Sequence, residues 1–529
     1  MNDTYTTWKN HLSGTTDGRL LDLMSQDEVS DAFSGDISFG TGGLRGVMGL
    51  GSNRMNSYTV ERVTHGLAKV VMESESPKSV AIAFDTRHNS SRFSETVCAL
   101  LSVYGITVYT FDKPMPTPAL SFAIRHLKLG WGVVITASHN PKEYNGYKVY
   151  NDRGVQLTDE AASMVTSAIE ATGFFKPAPD GRRAHIIAIG SDVETAYREQ
   201  IISFAQRDKK AFNYPFVYSA LHGTGANVIP LVLEQLGFSP RCIQQTPDGD
   251  FGGLMTPNPE EPSVYAEAIE EAEKCGARFL CATDPDCDRV GVMVKTTRGF
   301  EPLTGNQLGA LLIDYLAQTR GVSPGDTVIT TIVSGMLGEY ISKSYGLDFV
   351  RLLTGFKYIG EYTEHLPKGK RFFFGYEESY GFLAGDGARD KDAVIATALI
   401  ALMVDFYDKN GMTLLGRWSE LSEKYGFCLE ALHSLQVPQS KQKKIMDKLR
   451  SGVAFDGLVK AEDYMPGLNG LPPSNVLKLY FESGGWAAIR PSGTEPKIKL
   501  YTGVCEKTHA GAKASLESLN DMIMSVLEV

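Results

Sequence analysis

The sequence predicts an α/β fold in four successive units: three with similar, mixed or mainly parallel sheets, and a smaller C-terminal α+β unit. Three observations carry this. At 529 residues the chain is too long for a single core. A pattern of strand, loop, helix, Gly-aliphatic turn and strand, closing on an apolar strand that runs into a polar loop, occurs three times. From about residue 428 the pattern changes character.

The first pass follows a polar, helical N-terminal stretch and the glycine-dense segment FGTGGLRGVMGLG at 39–51, read as a flexible loop. SVAIAFD (79–85) reads as a strand, SETVCALLSVYG (94–105) as a helix and ITVYTF (106–111) as a strand; a further helix and the strand GVVI deliver TASHNP at 136–141. The second pass opens at 216–243, and its strand ARFLCAT (277–283) delivers DPDCDR. The third opens at 326–353, and RFFFG (371–375) delivers YEESYG. Alternating strands and helices imply sheets covered on both faces, with ligands bound beyond the carboxyl ends of strands. The last unit holds the strands VLKLYFES, WAAIR and KIKLYTG and the loop RPSGTEP at 490–496. Boundaries near 208, 318 and 427 give units 1–208, 209–318, 319–427 and 428–529.

Composition narrows the function. A net charge of −10 argues against nucleic acid or an anionic membrane as partner. A small anionic substrate stays open, provided cations are gathered locally. No apolar run reaches the roughly 18 residues of a membrane span; AVIATALIALMV (393–404) ends at Asp405 and reads as a buried helix. MNDTYTTWKNHL lacks the layout of a signal peptide. Seven scattered cysteines read as free thiols in a reducing compartment, so the expected address is cytoplasmic.

DPDCDR at 284–289 is the sharpest metal signal. Asp284, Asp286 and Asp288 lie two apart, so in an extended loop their carboxylates project to one side. Three hard oxygen donors suit Mg²⁺ or Ca²⁺ rather than zinc. Arg289 and Lys295 stand where an EF-hand needs glycine and glutamate, which excludes that motif; a solvated acidic turn is the plain alternative. In RPSGTEP, Gly493 lets backbone amides converge, Ser492 and Thr494 add hydroxyls, and Arg490 can clamp two phosphate oxygens. A simple hairpin turn is the alternative there. Glu377 and Ser379 of YEESYG alternate acceptor and donor, as sugar hydroxyls require, although a solvated turn would read the same. FGTGGLRG lacks the GxGxxG spacing, leaving either a phosphate-facing loop with Arg45 as its cation or a plain connection. In TASHNP, a hydrolase pairing of Ser138 with His139 is disfavoured, because neighbours on a strand point oppositely and Ser138 does not sit in a GxSxG elbow. A phosphate-carrying serine or a polar turn remain.

Taken in order, TASHNP, DPDCDR, EES and RPSGTEPK resemble the four signature regions of the α-D-phosphohexomutases, and the resemblance covers essentially the whole chain. It implies four domains around a central cleft. It implies phosphoserine at Ser138, and one Mg²⁺ on Asp284, Asp286, Asp288 and a phosphoserine oxygen. It implies sugar reading by Glu377 and Ser379, and substrate phosphate held by Arg490, Ser492, Gly493 and Thr494. Lys148 matches a general acid/base position, and Arg45 and Arg289 match positions near the transferring phosphoryl group. His139 counts as a substrate-side neighbour. Where dual-specificity phosphomannomutases place histidine, this chain has TGFK, with Phe356 and Lys357, and YEESYGF. EESYG, the FGTGGLRGVMG…NRMN entry at 39–56 and ARDKDA (388–393), which offers Arg389 and Lys391 as phosphate contacts, look like the branch acting on glucose phosphates. The implied reaction interconverts glucose 1- and 6-phosphate through glucose 1,6-bisphosphate, which also serves as activator. Pentose or mannose phosphates are the alternatives, a metal-dependent sugar phosphatase a more distant one. The expected partners are small sugar phosphates, with a monomer or homodimer as the assembly.

Overall fold

A computed structural model describes residues 3–40, 43–181, 183–205, 215–452, 455–492 and 496–527. The chain forms two compact units. Unit 1 comprises Met1–Leu303, Phe356–Leu366 and Ser379–Leu402; unit 2 comprises Thr304–Gly355, Pro367–Glu378 and Met403–Val529. The stretch expected as a third unit therefore contributes to both bodies.

Unit 1 holds two mixed sheets. The larger runs Phe39–Gly40, Gly43–Val47, Tyr144–Tyr150, Trp131–Ile135, Ser79–Phe84, Thr107–Thr110, Ile186–Ala188. Its last four strands are parallel, and Tyr144–Tyr150 turns back antiparallel on Trp131–Ile135. Val80, Ile82, Val133 and Ile135 are fully buried against Val63, Leu67, Val97 and Leu101 of the helices Ser57–Glu73 and Ser90–Val103. Each such side chain contributes roughly 1.5–3 kcal/mol by leaving water. The smaller sheet runs Gly299–Leu303, Val290–Thr296, Phe279–Thr283, Val217–Ser219, Arg241–Ile243. There too a buried strand, Phe279–Thr283, is followed by an antiparallel return, Val290–Thr296.

The glycine-dense segment is a correction. It builds strands rather than a flexible loop: Gly43–Val47 pairs antiparallel with Tyr144–Lys148, setting Arg45 opposite Gly146. Glycine permits this because a Cβ on Gly43 would stand 2.6 Å from the Tyr147 carbonyl oxygen, and one on Gly146 2.5 Å from that of Thr136.

Unit 2 contains the parallel strands Asp348–Leu352, Asp326–Thr331 and Arg371–Tyr376. It also holds an antiparallel sheet ordered Phe427–Gln436, Lys497–Glu506, Trp486–Pro491, Leu477–Phe481, Leu458–Asp463, packed on the helix His509–Leu527. Cys428 and Cys505, directly opposite in this sheet, form a disulfide, which corrects the reading of seven free thiols. A sequence separation of 77 hides the pairing from sequence. The other five cysteines are free. The apolar run 393–404 is buried in the helix Ala393–Lys409, and no helix among the described residues is long and apolar enough to cross a membrane.

Candidate active site

Both motif loops of unit 1 are hairpin connections at the end of a fully buried strand, and each turns on one left-handed residue. These are Ser138 at φ 52° and Cys287 at φ 53°. The turns bring the loops together: Ser138 Oγ donates to Asp284 Oδ2 at 2.7 Å. The same turn overturns the strand-based argument about Ser138 and His139. Because Ser138 is not extended, its Oγ lies 3.2 Å from His139 Nδ1. Burial first, then Arg289, Arg45 and Arg87, pushes the His139 imidazole well below its usual pKa.

Asp284, Asp286 and Asp288 are buried, with one oxygen from each within 4.8 Å of the others. Asp286 Oδ1 and Asp288 Oδ1 are buried without a hydrogen-bond partner. Orphaned carboxylate oxygens at this density are costly unless a cation completes them. The donor set therefore fits a hard divalent ion. Asp284 is driven well above the usual carboxylate range by burial and then by its two acidic neighbours. Burial pushes Asp286 the same way, but Lys148, a hydrogen bond with Asp284 and Lys391 together outweigh it and hold the group low.

Cations surround the triad. Lys148 Nζ lies 3.0 Å from Asp286 Oδ2 and 3.7 Å from Asp288 Oδ2; in the sheet it sits between Val134 of the hairpin partner strand and Gly43 on the other side. Lys391 Nζ lies 3.1 Å from both Asp288 Oδ2 and Asp390 Oδ1. Arg289 donates to Glu260 and stands 3.9 Å from Asp288. Arg45 donates to Asn140 Oδ1 at 2.8 Å, at the margin of the Ser138 loop. Arg389, by contrast, is engaged by Glu364, Asp386 and the Ala388 carbonyl, away from the triad's ion pairs. Lys357 Nζ is 2.5 Å from Asp159 Oδ1, whose other oxygen accepts from Tyr358 at 2.6 Å.

Ser379, half-buried, lies in unit 1. Glu377 is buried in unit 2 and accepts from the Gly355 amide at 2.8 Å. RPSGTEP is the connection between paired strands: Arg490 faces Lys499, and the Ser492 amide donates to the Lys497 carbonyl at 2.9 Å. The described part fits the hairpin alternative, while Gly493 and Thr494, on which the cradle reading rests, lie outside the described residues.

Sequence reasoning missed Thr117, whose amide and hydroxyl donate to Asp286 O and Oδ2 at 2.9 and 3.0 Å. It also missed Asp390, which accepts from Tyr150 at 2.8 Å, and Glu260. The adjacency of Asp390 to Lys391 was the only signal available.

Fold and site together define a class, multidomain α/β enzymes equipped for phosphoryl groups. The chain belongs to the phosphoglucomutase/phosphomannomutase family, an isomerase family: models of its three alpha/beta/alpha domains match residues 36–176, 195–299 and 304–425, and its C-terminal domain matches 437–514. The chain is 36% identical over 513 residues to a phosphoglucomutase of Staphylococcus epidermidis, covering 91% of this chain and 93% of that one. It is 34% identical to one from Staphylococcus haemolyticus, with 93% and 95% covered. The solved open form of Paramecium pp63/parafusin, a phosphoglucomutase, shares the fold at TM-score 0.72 and 18% identity, covering 94% and 96%.

Proposed function

We propose that the chain is a phosphoglucomutase, interconverting α-D-glucose 1-phosphate and glucose 6-phosphate through phosphorylated Ser138 and glucose 1,6-bisphosphate. The observation that carries this is the Ser138 hydroxyl 2.7 Å from Asp284, inside a triad with two unpartnered carboxylate oxygens. The name and extent of the Staphylococcus relatives support glucose as the sugar.

Asp284, Asp286, Asp288 and a phosphoserine oxygen would hold one Mg²⁺, which supplies positive charge beside the transferring phosphoryl oxygens. Ser138 carries the phosphoryl group. Its P–Oγ bond breaks as a bond from phosphorus to the free sugar hydroxyl forms, and the hydroxyl proton ends on Oγ. Lys148, against Asp286, is the side chain we assign to moving that proton. Arg45, Arg289 and Lys391 stabilise charge on the group in flight. Glu377 and Ser379 would read sugar hydroxyls, and Arg490, Ser492, Gly493 and Thr494 would hold the phosphate that does not react. The bisphosphate, turned over, returns its other phosphate to Ser138, and a trace of it primes the enzyme. A cytosolic address, a monomer or homodimer, and domain limits near 208, 318 and 427 belong to the same reading.

The test is a panel of sugar 1-phosphates assayed with Mg²⁺ and a trace of glucose 1,6-bisphosphate, scoring isomer against free phosphate. Glucose 6-phosphate should dominate; stoichiometric free phosphate would make the chain a phosphatase. Ser138→Ala should abolish turnover with the fold intact, and substantial activity in that variant removes the carrier role.

A further inference from the structure

The left-handed backbone of Ser138 needs a restraint, because a non-glycine residue at φ 52° is disfavoured unless its surroundings impose it. The loop from Thr136 to Tyr144 closes around one side chain outside every motif considered so far. Arg87 is fully buried, and its guanidinium donates to four carbonyls of that loop. Nη2 bonds Ser138 O at 2.5 Å and also Asn140 O; Nη1 bonds Pro141 O at 2.8 Å and Tyr144 O at 3.1 Å. Behind it, Asp85 Oδ2 lies 3.2 Å from Nε, and Asp85 Oδ1 accepts from the Arg87 amide at 3.0 Å and from Ser90 at 2.7 Å. The guanidinium carbon stands 4.9 Å over the ring of buried Phe251. Thr136 ties the ends together: its Oγ1 accepts the Ser138 amide at 2.8 Å and donates to Asp85 Oδ2 at 2.6 Å.

We propose that Arg87, anchored by Asp85 and Phe251, is the positioning residue that holds the Ser138 loop in its left-handed turn and so aims Oγ at the acidic triad. The inference rests on Ser138 being the phosphoryl carrier. A planar fork is the right chemistry, since one guanidinium serves four acceptors at fixed angles whereas an ammonium cannot. A supporting shell of this kind matters because a misplacement of about 1 Å costs a reaction roughly 100-fold.

The experiment compares wild type, Arg87→Lys and Thr136→Val. It measures kcat and KM for glucose 1-phosphate, melting temperature, and the rate at which intact mass rises by one phosphoryl group on adding glucose 1,6-bisphosphate. Arg87→Lys should lower kcat and the charging rate in parallel, by roughly 10- to 100-fold, with KM changed less than about threefold. Thr136→Val, which keeps the side-chain shape, should move the same two rates in the same direction, and it decides the matter if Arg87→Lys does not fold. Variants that charge and turn over within about twofold of wild type overturn the clamp alone. A wild type whose intact mass shows no phosphoryl group either as purified or after glucose 1,6-bisphosphate overturns the carrier reading, and the clamp with it.

Discussion

Unit 1 buries three aspartates within one short loop, and unit 2 buries Asp314 in the middle of the helix Gly305–Arg320. Both are acids removed from water, yet they are finished differently. Asp314 Oδ1 accepts from Tyr345 at 2.9 Å and Arg417 Nη2 at 2.8 Å; Oδ2 accepts from Tyr407 at 2.5 Å, Gln318 at 2.7 Å and Arg417 Nε at 2.8 Å. Burial pushes its pKa up, but these donors more than offset it and hold the group below its ordinary value. In the triad two oxygens have no hydrogen-bond partner. A completed buried acid is architecture, whereas an incomplete cluster is arranged to receive something.

Mutation separates the two kinds of acid. The largest effect belongs to the triad. Asp286→Asn, or chelation of Mg²⁺ from wild type, should cut turnover by at least about 100-fold. Added Mg²⁺ should restore only the chelated enzyme. In metal-free buffer the variant should also melt below wild type, because Lys148 loses the carboxylate that it holds ionised; the loss of kcat in the protein that stays folded, rather than the melting temperature, sets the triad apart from Asp314. Next, Asp314→Ala leaves Arg417 without its main partner and should cost about 3–5 kcal/mol in denaturant unfolding. The remaining folded protein should keep its kcat, and a selective loss of kcat would erase the distinction.

The smallest effect tests a buried cation of unit 2. Lys478 is buried, donates to Ile332 O at 2.5 Å and lies 4.5 Å over Trp486. Burial, followed by Arg351, lowers its pKa to about 7 against the weaker pull of Glu462 and Glu339. Since the folded value lies below the unfolded one of about 10.4, its contribution is complete above that pH and is lost as pH falls toward about 7. Wild type should therefore lose melting temperature relative to Lys478→Met between pH 10 and pH 7. A pH-independent difference would mean that the ammonium stays charged throughout.

What was legible in the sequence was contiguous. The apolar strands and the polar loops behind them announced themselves locally, and Asp284, Asp286 and Asp288 share one loop. What escaped depends on partners distant in the chain. Arg87 meets the Ser138 loop 51 residues away, and Thr117 meets Asp286 across 169. The glycine segment became strands only because Tyr144–Lys148 was there to receive it. Ser138 and His139 were wrongly separated because a single left-handed residue redirects the backbone, which no local pattern encodes.

The interleaving of the two units has a consequence for synthesis on the ribosome. Unit 1 draws its last segment from Ser379–Leu402, so Lys391, a cation beside Asp288, is translated about 100 residues after the acid it neutralises. At about 5–20 residues per second that is a delay of about 5–20 s. Throughout that interval the nascent chain carries its acidic loop without this counter-charge. Unit 1 thus matures late, after most of the segments that build the other body's parallel strands have already emerged.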